Sequence, residues 1–250
     1  MENVITRKME SVSIVIPVYN EAGVIAQVIQ GFYDRIMKSY PQVRLIVAED
    51  GSVDGTKQIL QRLSQQIPFE LVTGETRKGY TQAFKDALGL VKTALVFFSD
   101  SDGQHDPADF FKLLDEFERH DIVSGFKCPR RDPFHRILLS WGYNTLIWSL
   151  FGLKMRDIDS GFKLIRQEVI HEVLPEVKDL KHCVMSEFIL KAHLRGYRIK
   201  EIPVRHYPRP NGTTNLFQPH KLPGIVFNLI KGLINIRCRY SRLSRVRQKS

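Results

Sequence analysis

The chain is short of cysteine, of glycine-rich phosphate loops and of long apolar runs, and each shortage closes off a class of protein. Only three cysteines, Cys128, Cys183 and Cys238, occur in 250 residues, widely spaced and without a CxxC pair, which excludes a disulfide framework and a structural zinc site. A reducing cytosolic setting fits. The longest uncharged apolar-rich stretch, Ile137 to Leu153, is broken by Ser140, Gly142, Asn144, Thr145, Ser149 and Gly152 and falls short of the roughly 20 apolar residues that a spanning helix needs. Met1 to Lys8 lack the basic-then-apolar order of a secretion signal, so export is not expected. The glycine run of a P-loop or dinucleotide fingerprint is missing, and the histidines, among them His105, His206 and His220, show no metal-ligand spacing. Acid is also missing from the end of the chain: no Asp or Glu follows Glu201, whereas ten Lys or Arg do. Residues 1–125 hold 13 basic and 18 acidic side chains and residues 126–250 hold 24 and nine, so the net charge of +10 belongs to the second half. That asymmetry suits an anionic partner such as lipid headgroups, phosphates or nucleic acid, or else a solvated basic tail.

What the first half does contain is a regular alternation. Ser11 to Ile16 form a β-branched run ended by Pro17, and a helical pattern follows from Glu21 to Lys38 with Val24, Ile25, Val28, Ile29 and Phe32 on one face. The unit recurs as Arg44–Glu49 and Asp54–Gln65, Phe69–Thr73 and Thr81–Val91, Ala94–Ser99 and Pro107–Glu118, and then Asp121–Ser124. Such alternation predicts an α/β fold, a Rossmann-like, mostly parallel sheet with helices on both faces. Ligands of open α/β sheets bind at the carboxyl ends of the strands. Here those ends read Pro17-Val18-Tyr19-Asn20-Glu21, Glu49-Asp50-Gly51-Ser52-Val53-Asp54-Gly55-Thr56 and Asp100-Ser101-Asp102-Gly103-Gln104-His105-Asp106, so acidic groups converge on one rim.

Asp100 and Asp102 at the end of an apolar strand offer the hard oxygens that Mg²⁺ or Mn²⁺ takes together with substrate phosphates, and Gln104 adds a neutral oxygen. Asp-rich loops also serve as turns and caps, and Asp106-Pro107 reads as an N-cap followed by proline. Asp54 reads as a cap as well. Asp50 is left either as a turn residue or as an acceptor for a base or ribose, and Glu21 either as a first-turn carboxylate or as a ligand. Arg77-Lys78-Gly79 precedes a helix and offers charge to a phosphate or simply a solvated loop.

Taken together, the three strand-end segments resemble, in order and spacing, the nucleotide-sugar motifs of family 2 glycosyltransferases with the GT-A fold. Asp157-Ile158-Asp159-Ser160-Gly161-Phe162-Lys163 is similar to the Asp-x-x-Ser-Gly-Phe-Arg segment of the dolichyl-phosphate mannose synthase-like, polyprenyl-phosphate branch. Gly196 to Val204, followed by Arg209 and Gly212, resembles that branch's later segment. The resemblance implies that Pro17, Tyr19, Glu21 and Asp50 hold the nucleoside, Asp100 with Ser101 the ribose side, and Asp102 with Gln104 a Mg²⁺ or Mn²⁺ bridging the diphosphate of a UDP- or GDP-sugar. It implies inversion at the anomeric carbon and a polyprenyl phosphate acceptor, with Asp102, Lys127, Arg136 and Arg209 as the catalytic set. Asp157, Asp159 and Ser160 mark the acceptor region. An Asp157 or Asp159 acting as a base would instead point to a sugar hydroxyl of a glycolipid or polysaccharide. Three departures from the branch pattern are Glu49 for Asp, Lys127 for Arg, and Thr213-Thr214-Asn215-Leu216 in place of a Ser-Lys-Leu segment.

The expected layout is a GT-A domain over residues 1–220, with 11–125 serving the nucleotide sugar and 126–220 the acceptor, and a basic amphipathic helix and tail over 221–250. Leu222, Ile225, Val226, Leu229, Ile230, Leu233 and Ile236 recur at threes and fours, and Arg237, Arg239, Arg242, Arg245, Arg247 and Lys249 end the chain. Such a helix packs on the domain or lies on an anionic membrane surface. Phe134 to Leu153 is either a second interfacial element or a core helix. These features predict a cytoplasmic protein peripheral to the membrane, a setting that allows a membrane-protein partner. Nucleic acid is not an expected partner; the competing non-enzymatic reading is a basic phosphate- or nucleic-acid-binding protein.

Overall fold

The computed structural model describes residues 12–209 and 222–247; Gly212 and the Thr213–Leu216 segment lie outside them, as does Lys249. Strands β1 (Val12–Val18), β2 (Arg44–Glu49), β3 (Glu70–Thr73), β4 (Leu95–Ser99), β5 (Ile122–Lys127), β6 (Phe162–Arg166) and β7 (Ile199–Val204) form one sheet in the order β3-β2-β1-β4-β6-β5-β7. All pairings are parallel except those of β6, which runs antiparallel to both β4 and β5. The predicted α/β sheet is therefore present, with one reversed strand.

Two differences from the sequence reading have physical causes. β1 continues through Pro17 to Val18, and pairing with β4 ends at Val15. Val18 turns its carbonyl toward the Asp50 N–H of the β2 side (2.9 Å), so alternation directs the proline nitrogen to the side where no ladder bond is lost. β6 was not anticipated because Lys163 interrupts its apolar pattern. That lysine is fully buried, its Nζ donating to Ser124 Oγ (2.9 Å) and the Ser160 carbonyl (2.6 Å).

Alternating side chains send Val12, Ile14, Ile16 and Phe97 to one face of the sheet and Val15, Val96 and Phe98 to the other. The first face is covered by α1 (Ile25–Phe32, extended by a π turn at Tyr33–Met37), α2 (Thr56–Leu63) and α4 (Phe110–Glu116). Covering the second are α3 (Tyr80–Gly89), α5 (Phe134–Phe151), α6 (Gln167–Val173), α7 (Val184–Leu194) and α8 (Leu222–Arg247).

The two helices left open in the sequence reading each show two faces. α5 buries Asn144, Ile147 and Phe151 and exposes Phe134, Leu138, Trp141 and Trp148. α8 packs on the domain: Leu233 and Ile236 are fully buried, Arg239 pairs with Asp179 (3.2 Å) and the Tyr240 hydroxyl donates to Glu176 (3.2 Å). Gly232 permits this, since a Cβ there would lie 2.5 Å from the Asp179 carbonyl oxygen. The opposite row, Phe227, Ile230 and Ile234, faces out, with Phe227 68% exposed. Among the described residues no helix is long and apolar enough to cross a membrane.

Candidate active site

The carboxyl ends of β1, β2 and β4 lie side by side, because β1 pairs with both of the others, and this brings the predicted residues to one rim. The loops after β1 and β2 are stapled together. Asn20 N–H donates to Ser52 Oγ (3.0 Å), Val53 N–H to Asn20 Oδ1 (3.0 Å), Glu21 N–H to Thr56 Oγ1 (2.9 Å) and Ala22 N–H to Asp54 Oδ2 (3.1 Å). Asp54 also accepts from Thr56 N–H at the start of α2 (3.1 Å), the capping role expected of it. Asp50 is buried, and its two carboxylate oxygens accept from Lys78 N–H (2.8 Å) and Gly79 N–H (3.0 Å), joining the third loop to the same wall. The Arg77 guanidinium lies over the Tyr19 ring, 3.9 Å from its centroid, a cation stacked on an aromatic face. Glu49 is buried too, with Oε1 accepting from Ser52 N–H and Oε2 lacking a hydrogen-bond partner among the described residues.

The reversed direction of β6 matters here. An antiparallel strand begins where its parallel neighbours end, so the Asp157–Gly161 segment, which precedes β6, reaches the same rim as Asp100 and Asp102, which follow β4. Asp100 N–H donates to the Gly161 carbonyl (2.9 Å), and a Cβ on Gly161 would stand 1.8 Å from Asp100 Oδ2. Only glycine leaves room for that carboxylate. Burial, then Asp102 and Asp159, raise the Asp100 pKa against the pull of Lys127 and Lys163. Asp159 faces the crevice while accepting from Ser186 Oγ (2.8 Å) and N–H (3.2 Å), and desolvation pushes it up to about 6. Asp157 is buried behind it, its N–H held by Glu201 Oε1 (2.9 Å), and Ser160 N–H donates to the Asp157 carbonyl (3.2 Å). Tyr80, at the start of α3, is half exposed, yet desolvation of its hydroxyl and the charges of Asp100, Asp159 and Asp102 push its phenol well above the usual range.

Asp102 Oδ1 accepts from Gln104 N–H (3.2 Å), and Gln104 Nε2 donates to the Tyr207 carbonyl (3.1 Å), which leaves the amide oxygen as its ligating atom. Ser101 between the two aspartates is buried. Glu21 lies near enough to Asp102 for their charges to interact, and its carboxylate pairs with Arg209. Among the described residues no three His, Cys, Asp or Glu side chains converge as a metal cage. A hard cation that keeps waters and phosphate oxygens needs only one or two protein carboxylates, so Asp102 and the Gln104 oxygen fit Mg²⁺ or Mn²⁺.

Near the acids lies Lys127, whose charge acts on Asp100. Lys127 at the end of β5, Arg130, and Arg136 in the first turn of α5 all reach Asp132, at 3.9, 2.8 and 3.2 Å. The sequence reading named Lys127 and Arg136 and missed Arg130, Asp132, Tyr80, Ser186 and Lys163. Of these only Lys163 sat inside a quoted motif.

A seven-stranded, mostly parallel sheet with an acidic strand-end rim and one reversed strand defines a GT-A nucleotide-sugar transferase fold. Solved structures share it. The chain superimposes on glucosyl-3-phosphoglycerate synthase from Mycobacterium tuberculosis, crystallised with Mn²⁺, UDP and phosphoglyceric acid, at a TM-score of 0.72 and 19% identity, covering 94% of this chain and 80% of that one. A Pyrobaculum calidifontis mannosyltransferase in complex with GDP-Man and Mn²⁺ matches at a TM-score of 0.60 and 20% identity, over 80% of this chain and 57% of the other. The family model for glycosyl transferase family 2 matches residues 13–174, and the chain belongs to that family. Among its relatives are polyprenol monophosphomannose synthase of Mycolicibacterium smegmatis, 27% identical over 84% of this chain and 82% of that protein, and undecaprenyl-phosphate 4-deoxy-4-formamido-L-arabinose transferase of Edwardsiella ictaluri, 27% identical over 90% and 68%. The protein is thus a glycosyltransferase related to the polyprenyl-phosphate branch.

Proposed function

We propose that the protein transfers a sugar from a UDP- or GDP-sugar to a polyprenyl phosphate, with inversion, at the cytoplasmic face of a membrane. The observation that carries this reading is that Lys127, one of three cations gathered on Asp132, also acts on Asp100, so a cationic cluster adjoins the acidic strand-end rim. The names of the relatives support the acceptor class.

In this reading Pro17, Tyr19, Glu21 and Asp50 receive the nucleoside, and Asp100 with Ser101 the ribose. Asp102 and Gln104 would hold a divalent cation, which supplies Lewis-acid neutralisation of the departing diphosphate. An acceptor phosphate oxygen, already anionic, attacks the anomeric carbon; the bond to the nucleoside diphosphate breaks and its electron pair leaves on the diphosphate oxygen. No strong base is needed, and Lys127, Arg136 and Arg209 position the acceptor. The outward rows of α5 and α8 would rest on an anionic membrane surface, with their aromatic side chains at headgroup depth. The division into a donor half over 11–125, an acceptor half over 126–220 and an interfacial segment over 221–250 belongs to the same proposal.

A second reading rests on Asp159, an exposed carboxylate at the rim, held by Ser186 and with its pKa raised, which suits a base acting on a sugar hydroxyl. Labelled donor incubated with polyprenyl phosphate and Mn²⁺ separates the two. Mild-acid-labile labelled lipid is expected; no lipid product with any UDP- or GDP-sugar sinks the first reading. Asp102→Ala should lower metal-supported transfer roughly 100-fold or more with thermal unfolding nearly unchanged, and undiminished turnover would remove Asp102 from the metal role.

A further inference from the structure

One turn of α5 holds two loops of the crevice. The helix buries Asn144, Ile147 and Phe151, and Asn144 is the polar member of that row. Its Nδ2 donates to the Ser140 carbonyl (2.7 Å), and its Oδ1 accepts from the Ile158 N–H (3.1 Å), between Asp157 and Asp159. An acceptor on one side and a donor on the other fix which way the amide points. Ser140 Oγ, at the other end of the same turn, accepts from Arg130 Nη1 (2.9 Å) in the loop after β5.

Asparagine is a poor choice for a buried helical position, since it favours caps and turns and brings polar atoms that must be satisfied. Its bond to the Ser140 carbonyl goes to an oxygen that already serves the helix, so an apolar side chain would suit α5 itself better. What the amide adds is an acceptor for a buried backbone N–H of another segment. Side chains hold that segment. Glu201 of β7 accepts from the Arg156 N–H (2.7 Å) and the Asp157 N–H (2.9 Å), and Asn144 takes the next N–H in line. Beyond Ile158 come Asp159, held on Ser186, and Gly161, whose carbonyl accepts from the Asp100 N–H (2.9 Å) and whose missing Cβ gives the Asp100 carboxylate its space. Release of Ile158 would leave the Glu201 anchor in place and loosen the half of the loop that meets Asp100.

We propose that Asn144 is a positioning residue that holds the 157–161 loop, and through it Asp100 and Asp159, in place against α5. This deepens the proposed function and rests on it for the reaction whose rate is read. Two substitutions separate positioning from packing. Asn144→Leu keeps the volume and removes the acceptor. Asn144→Asp keeps an acceptor for the Ile158 N–H but turns an oxygen instead of an N–H toward the Ser140 carbonyl, which destabilises the buried face of the helix. Stability and loop placement therefore rank the two variants in opposite orders.

The test uses the full chain and four measurements: backbone amide hydrogen exchange by mass spectrometry, thermal melting, calorimetric titration with UDP and GDP in Mn²⁺, and sugar transfer to polyprenyl phosphate. Asn144→Leu is expected to speed exchange over residues 156–161 roughly tenfold or more and to lower kcat by a similar factor, with nucleoside diphosphate affinity held within about threefold. Asn144→Asp should melt at a lower temperature than Asn144→Leu, yet exchange more slowly over the same residues and turn over about threefold faster or more. Unchanged exchange over 156–161 in Asn144→Leu overturns the proposal. So does transfer by that variant within about twofold of the wild-type kcat. Turnover that follows the melting temperature, with Asn144→Asp the slower enzyme, also overturns it, as the mark of a merely structural amide. If Asn144→Leu fails to fold, Asn144→Ala, which removes the acceptor without filling its space, is judged by the same exchange and kcat criteria. Exchange ordered as expected in a protein that transfers nothing to polyprenyl phosphate upholds the anchor and defeats the proposed function.

Discussion

Gly161 shows how much of the crevice depends on one missing methyl group. Its backbone carries the hydrogen bond that aligns the end of β4 with the start of β6, and the Asp100 carboxylate occupies the space that a Cβ would take. Gly161→Ala is therefore expected to displace Asp100, to weaken nucleoside diphosphate binding about tenfold and to cost about 1–3 kcal/mol in stability; denaturant melts and titration calorimetry check both. Lys163, two residues on, makes a pH-dependent contribution. Desolvation holds its folded pKa down to about 8, against 10.5 unperturbed. Between those values the unfolded chain binds the proton and the folded chain does not, so stability rises as pH rises from about 8 to 10.5. Relative to Lys163→Met, urea unfolding of the wild type should gain about 1–3 kcal/mol across that window, and matching slopes would show that this ammonium is not desolvated in the fold.

At the scale of elements, the strands followed by polar loops were legible because each obeys one rule, an apolar β-branched run ending in ligand-bearing residues. β2 has the bounds expected of it, Arg44–Glu49. β6 does not obey that rule: it runs backwards, its polar segment comes before it, and a lysine sits in its centre. The cationic cluster was half legible. Lys127 and Arg136 stood at positions where a resemblance supplied a role, whereas Asp132 and Arg130 acquire meaning only when a strand end, a loop and a helix turn meet. The terminal helix was legible as amphipathic, but not as two-rowed, because its buried row (Leu229, Leu233, Ile236, Tyr240) and its outward row (Phe227, Ile230, Ile234) interleave along the same apolar pattern. The rows predict separable effects. Leu233→Ala should cost about 2–4 kcal/mol with vesicle binding retained by the folded fraction. Replacing Phe227, Ile230 and Ile234 by serine should leave the melting temperature nearly unchanged and weaken co-sedimentation with anionic vesicles roughly tenfold or more; full retention of vesicle binding would remove the outward row from any interfacial role.

Across the whole molecule, charge and shape are divided in the same way. The acidic first half forms the strand-end rim that the proposed function assigns to a cation and a diphosphate, and the basic second half supplies the cations on Asp132 and the outward helices. Seen from outside, the last helix is a keel built into the hull. Gly232 seats it against Asp179 and Leu180, and the backbone N–H groups of both are clamped by the buried Glu187 carboxylate near the start of α7. A load applied to Phe227 or Ile234 is therefore expected to travel through Gly232 and Asp179 to Glu187, whose neighbour Ser186 holds Asp159.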